Sequence, residues 1–439
     1  MSKRPSGRSD AVPTPREPVS PAKQRRSLTH VGGEVRTRGD QALAARLAHA
    51  LDVASSIAED GEDAARAHVH GFHAYPARMH PRTAERLVGA LSTVGQTVLD
   101  PFCGGGTVLV EARLAGRRAI GVDLNPLAVM LARRKATPMP PAEREALLAA
   151  AASAAAVATE RRKAKTGASR RYPPEDVASF DPHVLLELDG LRIGIEACAD
   201  SRIKSDLLLV LSSILVKLSR RRSDTSTAEA PKRLAAGYPA RLFVNKATEL
   251  TRAFEAVDDP LRRAPTAVVL EGDARELRGV ETGSVDAVVT SPPYAGVYDY
   301  LEHHRARLRW LGKDARAFIR AELGAKRSLA KLSPDDAIDT YGHEMTDVLR
   351  ALHRVMKPGG LAALLVADSA FGRTPLAADS LVVEAGRRAG FEPRASASQT
   401  RPHFDTATRG AFARAPRLEH VVVLERDRAP ASPVRTNRQ

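Results

Sequence analysis

The first stretch of the 439-residue chain has no apolar period, since Pro, Ser, Arg and Gly dominate it. Residues 1–40 therefore read as a disordered basic tail. From Gln41 an apolar stripe begins, with Leu43, Leu47, Leu51 and Ala54 on one face of a helix that runs to about Ile57. Between Thr97 and Asp123 the rhythm changes to TVLD, PFCGGG, TVLVEARLAG and RRAIGVD. That succession of strand, glycine turn, helix and strand is a βαβ unit, and it is the strongest local signal in the chain.

The alternation then stops. Residues 138–265 read as a mainly helical insertion, with an Ala-rich helix from Ala142 to Ala164, an apolar helix from Asp206 to Leu218 and another near Phe243 to Phe254. Two polar loops, RRKAKTGASRR and RRRSDTSTAEAPKR, separate these helices. The β/α rhythm resumes over residues 266–427, where APTAVVLEGD, SVDAVVTSPPY, GGLAALLVADS and LEHVVVLERD are apolar strands ending in turn residues or acids. The domain plan is thus a cofactor-type half over 41–137, the insertion, a second α/β half over 266–427, and a C-terminal tail over 428–439.

Composition narrows the class. Hydrophobic residues at 43% and charged residues at 27% suffice for a sizeable core. Two cysteines, Cys103 and Cys198, exclude a disulfide scaffold and fit a reducing cytoplasm. The basic, Pro/Ser-rich start has no apolar core and is not a secretory signal, and the run Leu207 to Val216 falls short of a membrane span, so the expected protein is soluble. Lys and Arg total 67 against 52 Asp and Glu, a net +15 that suits a polyanionic partner. Biased codon usage with solvated basic surfaces would produce the same balance.

Two short segments carry the chemistry. Asp100-Pro101-Phe102-Cys103-Gly104-Gly105-Gly106-Thr107 sits where a strand turns into a helix, and glycines there allow close backbone approach to a ligand. About 20 residues on, a second strand ends in Asp123, where a carboxylate can hold two ribose hydroxyls. Asn125 before Pro126 already supplies the cap of the next helix, so Asp123 is not needed for that task. No P-loop lysine is present, which disfavours a nucleoside triphosphate. The second segment, Ser291-Pro292-Pro293-Tyr294, closes the strand VDAVVT at its carboxyl end. Its prolines fix a rigid corner lacking two N–H donors, so the Ser291 hydroxyl and Pro292 carbonyl remain as acceptors beside the Tyr294 ring. That set suits an exocyclic amine on a stacked base.

In this order, DPFCGGGT, GVDLNP, EGDA and TSPPY resemble the motifs of class I S-adenosylmethionine-dependent methyltransferases, specifically the amino DNA methyltransferases acting on cytosine N4 or adenine N6. The resemblance covers roughly residues 69–136 and 266–426. It implies an α/β, Rossmann-like, seven-stranded sheet and S-adenosylmethionine as cofactor. It further implies that the Asp100 to Thr107 loop wraps the methionine part, Asp123 binds the ribose, Leu124 packs on the adenine, and Asp273, next to Ala274, accepts from the adenine amine. GFHAYPARMHP lies where the family places a cofactor-closing element, with Phe72 and Pro76 as the expected contacts. A plain loop leading into a helix from Thr83 to Leu91 is the alternative. His68, His70 and His73 invite a metal reading, but no cysteine or carboxylate set accompanies them in the sequence, and no metal is expected.

Ser291, Pro292, Pro293 and Tyr294 are the catalytic candidates, and DNA is the expected partner, with cytosine N4 favoured because Ser precedes the proline pair. The insertion is unlike the simplest members of the family. Its run Arg161, Arg162, Lys163, Lys165, Arg170 and Arg171 contains no acid and is expected to contact phosphate, a solvated loop being the alternative. In the helix YLEHHRARLRW, Trp310 reads as core and His303 and His304 as surface residues. Cys103 has no setting for a covalent nucleophile, so direct attack by the amine is the expected chemistry. The rivals are a tRNA base-amine methyltransferase, which fewer than about 70 residues ahead of the motifs disfavour, and a catalytically idle nucleic-acid-binding protein on the same fold.

Overall fold

The computed structural model describes residues 33–54, 67–76, 78–222, 228–403 and 406–428. The N-terminal tail up to residue 32 and most of the C-terminal one lie outside the described residues. Eight strands form one sheet: β1 (Val35–Gly39), β2 (Thr97–Asp100), β3 (Arg118–Asp123), β4 (Ala267–Glu271), β5 (Val285–Thr290), β6 (Met356–Ala367), β7 (Phe391–Thr400) and β8 (Leu418–Arg426). Their order is β1-β7-β8-β6-β5-β2-β3-β4. The strands β4, β3, β2, β5 and β6 run parallel, with β4 at the edge, while β8 is antiparallel to both β6 and β7. Buried on both faces, β5 reads as a nearly unbroken apolar run, as an interior parallel strand must.

The sheet has one strand more than the seven expected. Residues 35–39, placed in the tail by their polar composition, pair antiparallel with β7 as an edge strand. Only the backbone is needed for that, and the mostly exposed side chains of VRTRG leave no apolar signature. β7 itself, FEPRASASQT, alternates buried and partly exposed positions with Ala395, Ala397 and Gln399 inward, too weakly apolar to stand out in the sequence.

Helices cover both faces: α1 (Gln41–Leu51), α2 (Pro81–Leu91), α3 (Thr107–Leu114) and α4 (Pro126–Lys135) in the first half, α9 (Tyr300–Trp310), α10 (Pro334–Val355) and α11 (Ala378–Arg388) in the second. Between them stands a helical unit of α5 (Pro141–Lys163), α6 (Pro182–Glu196), α7 (Ser201–Leu218) and α8 (Tyr238–Glu255), where the insertion was expected. The Ala-rich character of α5 has a packing cause. A Cβ at Gly190 or Gly194 of α6 would lie 2.7 or 2.5 Å from the Cα of Ala158 or Ala154, so small residues on both helices allow the close crossing. Arg134 of α4 joins this unit to the first half, donating to Glu143 at 2.6 Å and Asp206 at 3.2 Å. Among the described residues no helix is long and apolar enough to cross a membrane.

Candidate active site

The carboxyl ends of β2, β3, β4 and β5 open onto a cleft of about 870 Å³. Open parallel sheets place ligands at this end of the strands. Asp100, Pro101, Phe102, Cys103, Gly104, Gly105 and Thr107 line it from the glycine loop, Asp123 and Leu124 from β3, Asp273 and Ala274 from β4, and Ser291 and Pro293 from β5. Gly106 points away. Its φ of +81° and its fit against α4, where a Cβ would sit 2.7 Å from the Cα of Ala132, make it a packing glycine at the start of α3.

Two carboxylates organise the loop. Asp123 accepts the Gly104 N–H at 2.8 Å through Oδ2 and the Asn125 N–H at 2.8 Å through Oδ1. Asn125 caps α4 by accepting from Leu127, as the sequence predicts. Burial raises the Asp123 carboxyl to about 6. Asp100 accepts from the Phe102 N–H and, at 2.6 Å, from the Thr290 hydroxyl, and burial raises it to about 7. This last bond ties the glycine loop to the residue before Ser291, a link that residues 190 positions apart do not reveal in sequence. Cys103 is buried, and burial pushes its thiol up, which leaves it in the packing role expected. Asp273 lines the cleft with its carboxylate held by Arg275 at 2.6 Å.

At the proline corner, the Ser291 hydroxyl donates to the Leu365 carbonyl at 3.1 Å, so its proton is engaged and its lone pairs remain as acceptors. The Pro293 carbonyl accepts from Tyr341 at 2.8 Å, and the Tyr294 hydroxyl meets Glu419 at 3.2 Å. Glu419 is held in turn by Arg401 at 2.8 Å. Pro292 is buried, and neither it nor Tyr294 is among the residues lining the cleft, so the corner presents Ser291 and Pro293 to it.

Several expectations require correction. Phe72 is buried in the core shared with the helical unit, and neither it nor Pro76 lines the cleft; Tyr75, Arg78 and Met79 take that place. A Cβ on Gly104 would come within 3.2 Å of the Tyr75 ring, which stacks on His304 at 4.9 Å, and the Tyr75 hydroxyl accepts from the Asn125 amide at 3.3 Å. His304 is consequently fully buried rather than a surface residue, while Trp310 is core as expected, stacked on Tyr172 at 5.4 Å. Tyr300 and Glu322 line the cleft and were missed; the Tyr300 N–H donates to Glu322 at 2.7 Å. The basic run does find acids: Arg161 pairs with buried Asp189 at 3.2 Å, Arg162 with Glu187 at 3.6 Å and Lys163 with Glu160 at 3.0 Å. Arg170 stacks on Tyr172 and Trp310. Lys165 and Arg171 remain exposed. Near His68 and His70 the fold supplies the carboxylate that the sequence lacked, Glu111 of α3, 2.6 Å from His70 Nε2. The three donor atoms lie within 4.8 Å of one another, while His73 turns away to Ser212. Burial lowers His68 to about 4 and raises Glu111 to about 7.

A parallel sheet with an antiparallel strand, β8, inserted between β6 and β7, a glycine loop after β2 and an acid closing β3 make a Rossmann-like α/β fold. Residues 50–134 match the family described as DNA methylase, the N6/N4 group. The match falls on the stretch that holds the glycine loop and Asp123. The type II methyltransferase M.MvaI of Kocuria varians is 38% identical over 77 residues, 17% of this chain and 17% of that protein. M.MjaII of Methanocaldococcus jannaschii is 37% identical over 68 residues, 16% of this chain and 13% of its own length. A tRNA (guanine(10)-N2)-dimethyltransferase of Methanothermobacter thermautotrophicus is 42% identical over 71 residues, 16% of this chain and 20% of that one. The chain thus matches between about an eighth and a fifth of the length of these relatives.

The cleft suits a cationic cofactor. Among its described lining residues Arg78 is the one basic side chain against Asp100, Asp123, Asp273 and Glu322; Arg275 and Arg327 compensate the last two, which leaves Asp123 and Asp100 to meet a ligand's hydroxyl and ammonium donors.

Proposed function

We propose that the protein transfers a methyl group from S-adenosylmethionine to an exocyclic amine of a DNA base, cytosine N4 in preference to adenine N6. The observation that carries this reading is the junction of the two motifs: Asp100 binds the glycine loop and Thr290 at once, so the cofactor cradle and Ser291 form one rigid unit. When bound, the cofactor supplies an electrophilic methyl on sulfur. Asp123 would hold the ribose hydroxyls, the glycine loop and Tyr75 would enclose the methionine part, and Leu124 and Asp273 would receive the adenine.

The target amine needs an acceptor to orient its protons and concentrate its lone pair. The Ser291 oxygen has that capacity because its own proton is committed to Leu365. The Pro292 carbonyl would be the second acceptor and the Tyr294 ring the stacking face, with Glu419 fixing that ring through its hydroxyl. A base in duplex DNA must leave the stack to arrive there, at a cost of a few kcal/mol. The corner contributes position and preorganised acceptors rather than a covalent intermediate.

The test is to incubate the protein with labelled cofactor, mixed DNA and tRNA, then digest to nucleosides and identify the labelled one by mass spectrometry. N4-methyldeoxycytidine is the expected product. N6-methyldeoxyadenosine would overturn only the choice of base, and label confined to tRNA would overturn the substrate class.

A further inference from the structure

A second cavity, about 2320 Å³, lies between Gly71, Phe72, His73, Ala74 and Arg78 on one side and helices α7 and α8 on the other. Its charge is one-sided. Arg78, Lys217, Arg222, Lys232, Lys246 and Arg252 line it together with Arg307, and among the described residues Glu249 is the one acid in its lining. Glu249 is paired with Lys246 one turn away on α8, so it does not offset the remaining cations. The residues Lys246, Glu249, Arg252, Ala253 and Ala256 recur three or four apart, so one face of α8 forms a wall of the groove.

The cations differ in availability. Lys232 donates to the carbonyls of Val216, Lys217 and Arg221, a structural task that closes the end of α7. Arg307 is fully buried and donates to the Ser212 carbonyl. Lys217, Arg222 and Arg252 are exposed at the rim. Arg78 lines both this groove and the cofactor cleft.

We propose that this groove is the track for the phosphodiester backbone of the DNA substrate, with Lys217, Arg222 and Arg252 as its phosphate contacts and Arg78 at the crossing into the cofactor cleft. The inference rests on the base-methyltransferase reading for the identity of the polyanion. It replaces the 161–171 run as the phosphate-contacting element, since most of that run is engaged by Asp189, Glu187, Glu160 and Tyr172. A groove of one sign concentrates a polyanion, and each neutralised phosphate releases counterions.

The experiment measures duplex DNA affinity of the full chain from low to moderate salt for wild type, for Lys217→Gln/Arg222→Gln/Arg252→Gln, and for Lys165→Gln/Arg171→Gln. Methylation of DNA and cofactor affinity are followed in parallel. The groove variant should bind DNA at least tenfold more weakly at low salt, with the slope of log affinity against log salt flattened by about 2 to 3 for three lost contacts. Its cofactor affinity and thermal melt should match wild type, because all three side chains are exposed. An unchanged slope with DNA still bound would overturn the groove and leave the methyltransferase reading intact. Wild type that binds DNA through the groove but methylates none would overturn that reading instead. Groove-dependent binding of tRNA but not DNA, or no nucleic-acid binding by wild type, would overturn the proposal.

Discussion

The short stretch that carries Gly71 to Tyr75, Arg78 and Met79 lines two cavities of opposite character. On one side is the acid-lined cleft proposed for the cofactor, built from the ends of β5, β2, β3 and the edge strand β4; on the other is the basic groove, built largely from the helical unit. The first depends on short-range backbone geometry, with Gly104 bonded to Asp123 and Asp100 to Phe102. The second depends on side chains brought together from Arg78, Lys217 and Arg252, far apart in the chain. An acidic cleft receives a cation and a basic groove receives phosphates, so the two can be altered independently if the division of labour is right.

The sharpest break should come at the proline corner. Ser291→Ala with Tyr294→Ala should lower methyl transfer by on the order of 10²-fold or more, as loss of a preorganised polar contact does elsewhere, while cofactor affinity changes little. Single-turnover rates under saturating cofactor measure this; full activity in the double variant would remove the corner from the chemistry.

Asp123→Ala should weaken cofactor binding by about 1–3 kcal/mol, the value of a hydrogen bond to a charged group, and leave DNA affinity unaltered. Calorimetry with the cofactor and with its demethylated product reads the first part. A fall in both affinities together would show that the two cavities are not separate.

A pH series sharpens the same point. With its folded pKa raised to about 6 by burial, Asp123 favours its neutral form, so its stabilising share is complete below the unfolded carboxylate range and is lost as pH rises through 6. Cofactor binding needs the charged form and should run the opposite way, strengthening about tenfold from pH 5 to pH 7. The Asp123→Asn variant should lose that Asp123-dependent rise. A wild-type affinity flat across that range would contradict the ribose role.

The smallest effect is expected from Lys165→Gln/Arg171→Gln in the basic run, a change in DNA affinity smaller than that of the groove variant. By contrast Arg161→Ala should lower stability by about 1 kcal/mol, because Asp189 is buried and Arg161 is one of its partners. Chemical denaturation distinguishes the two.

What could be read from the sequence follows from distance along the chain. The glycine loop, Asp123 and the Asn125 cap are local, and they were legible together with the boundaries of α5 and the place of the helical insertion. Choosing Phe72 over Tyr75 was not a matter of residue type, since both are aromatic and three apart; which one faces the cleft depends on His304 and Asn125 from elsewhere. Asp189 and Glu187, which meet Arg161 and Arg162, come from α6, and Glu111 meets His70 only because α3 passes beside the segment at residues 68–71. β1 escaped notice because edge pairing with β7 uses backbone groups that no side-chain pattern records.

The most direct test of the division between the two cavities is a crossed titration, in which cofactor affinity and DNA affinity are measured for Asp123→Ala and for Lys217→Gln/Arg222→Gln/Arg252→Gln on the same preparations. The predicted result is that the first variant loses cofactor and keeps DNA while the second keeps cofactor and loses DNA. If either variant loses both ligands by similar factors with its fold intact, the account is contradicted.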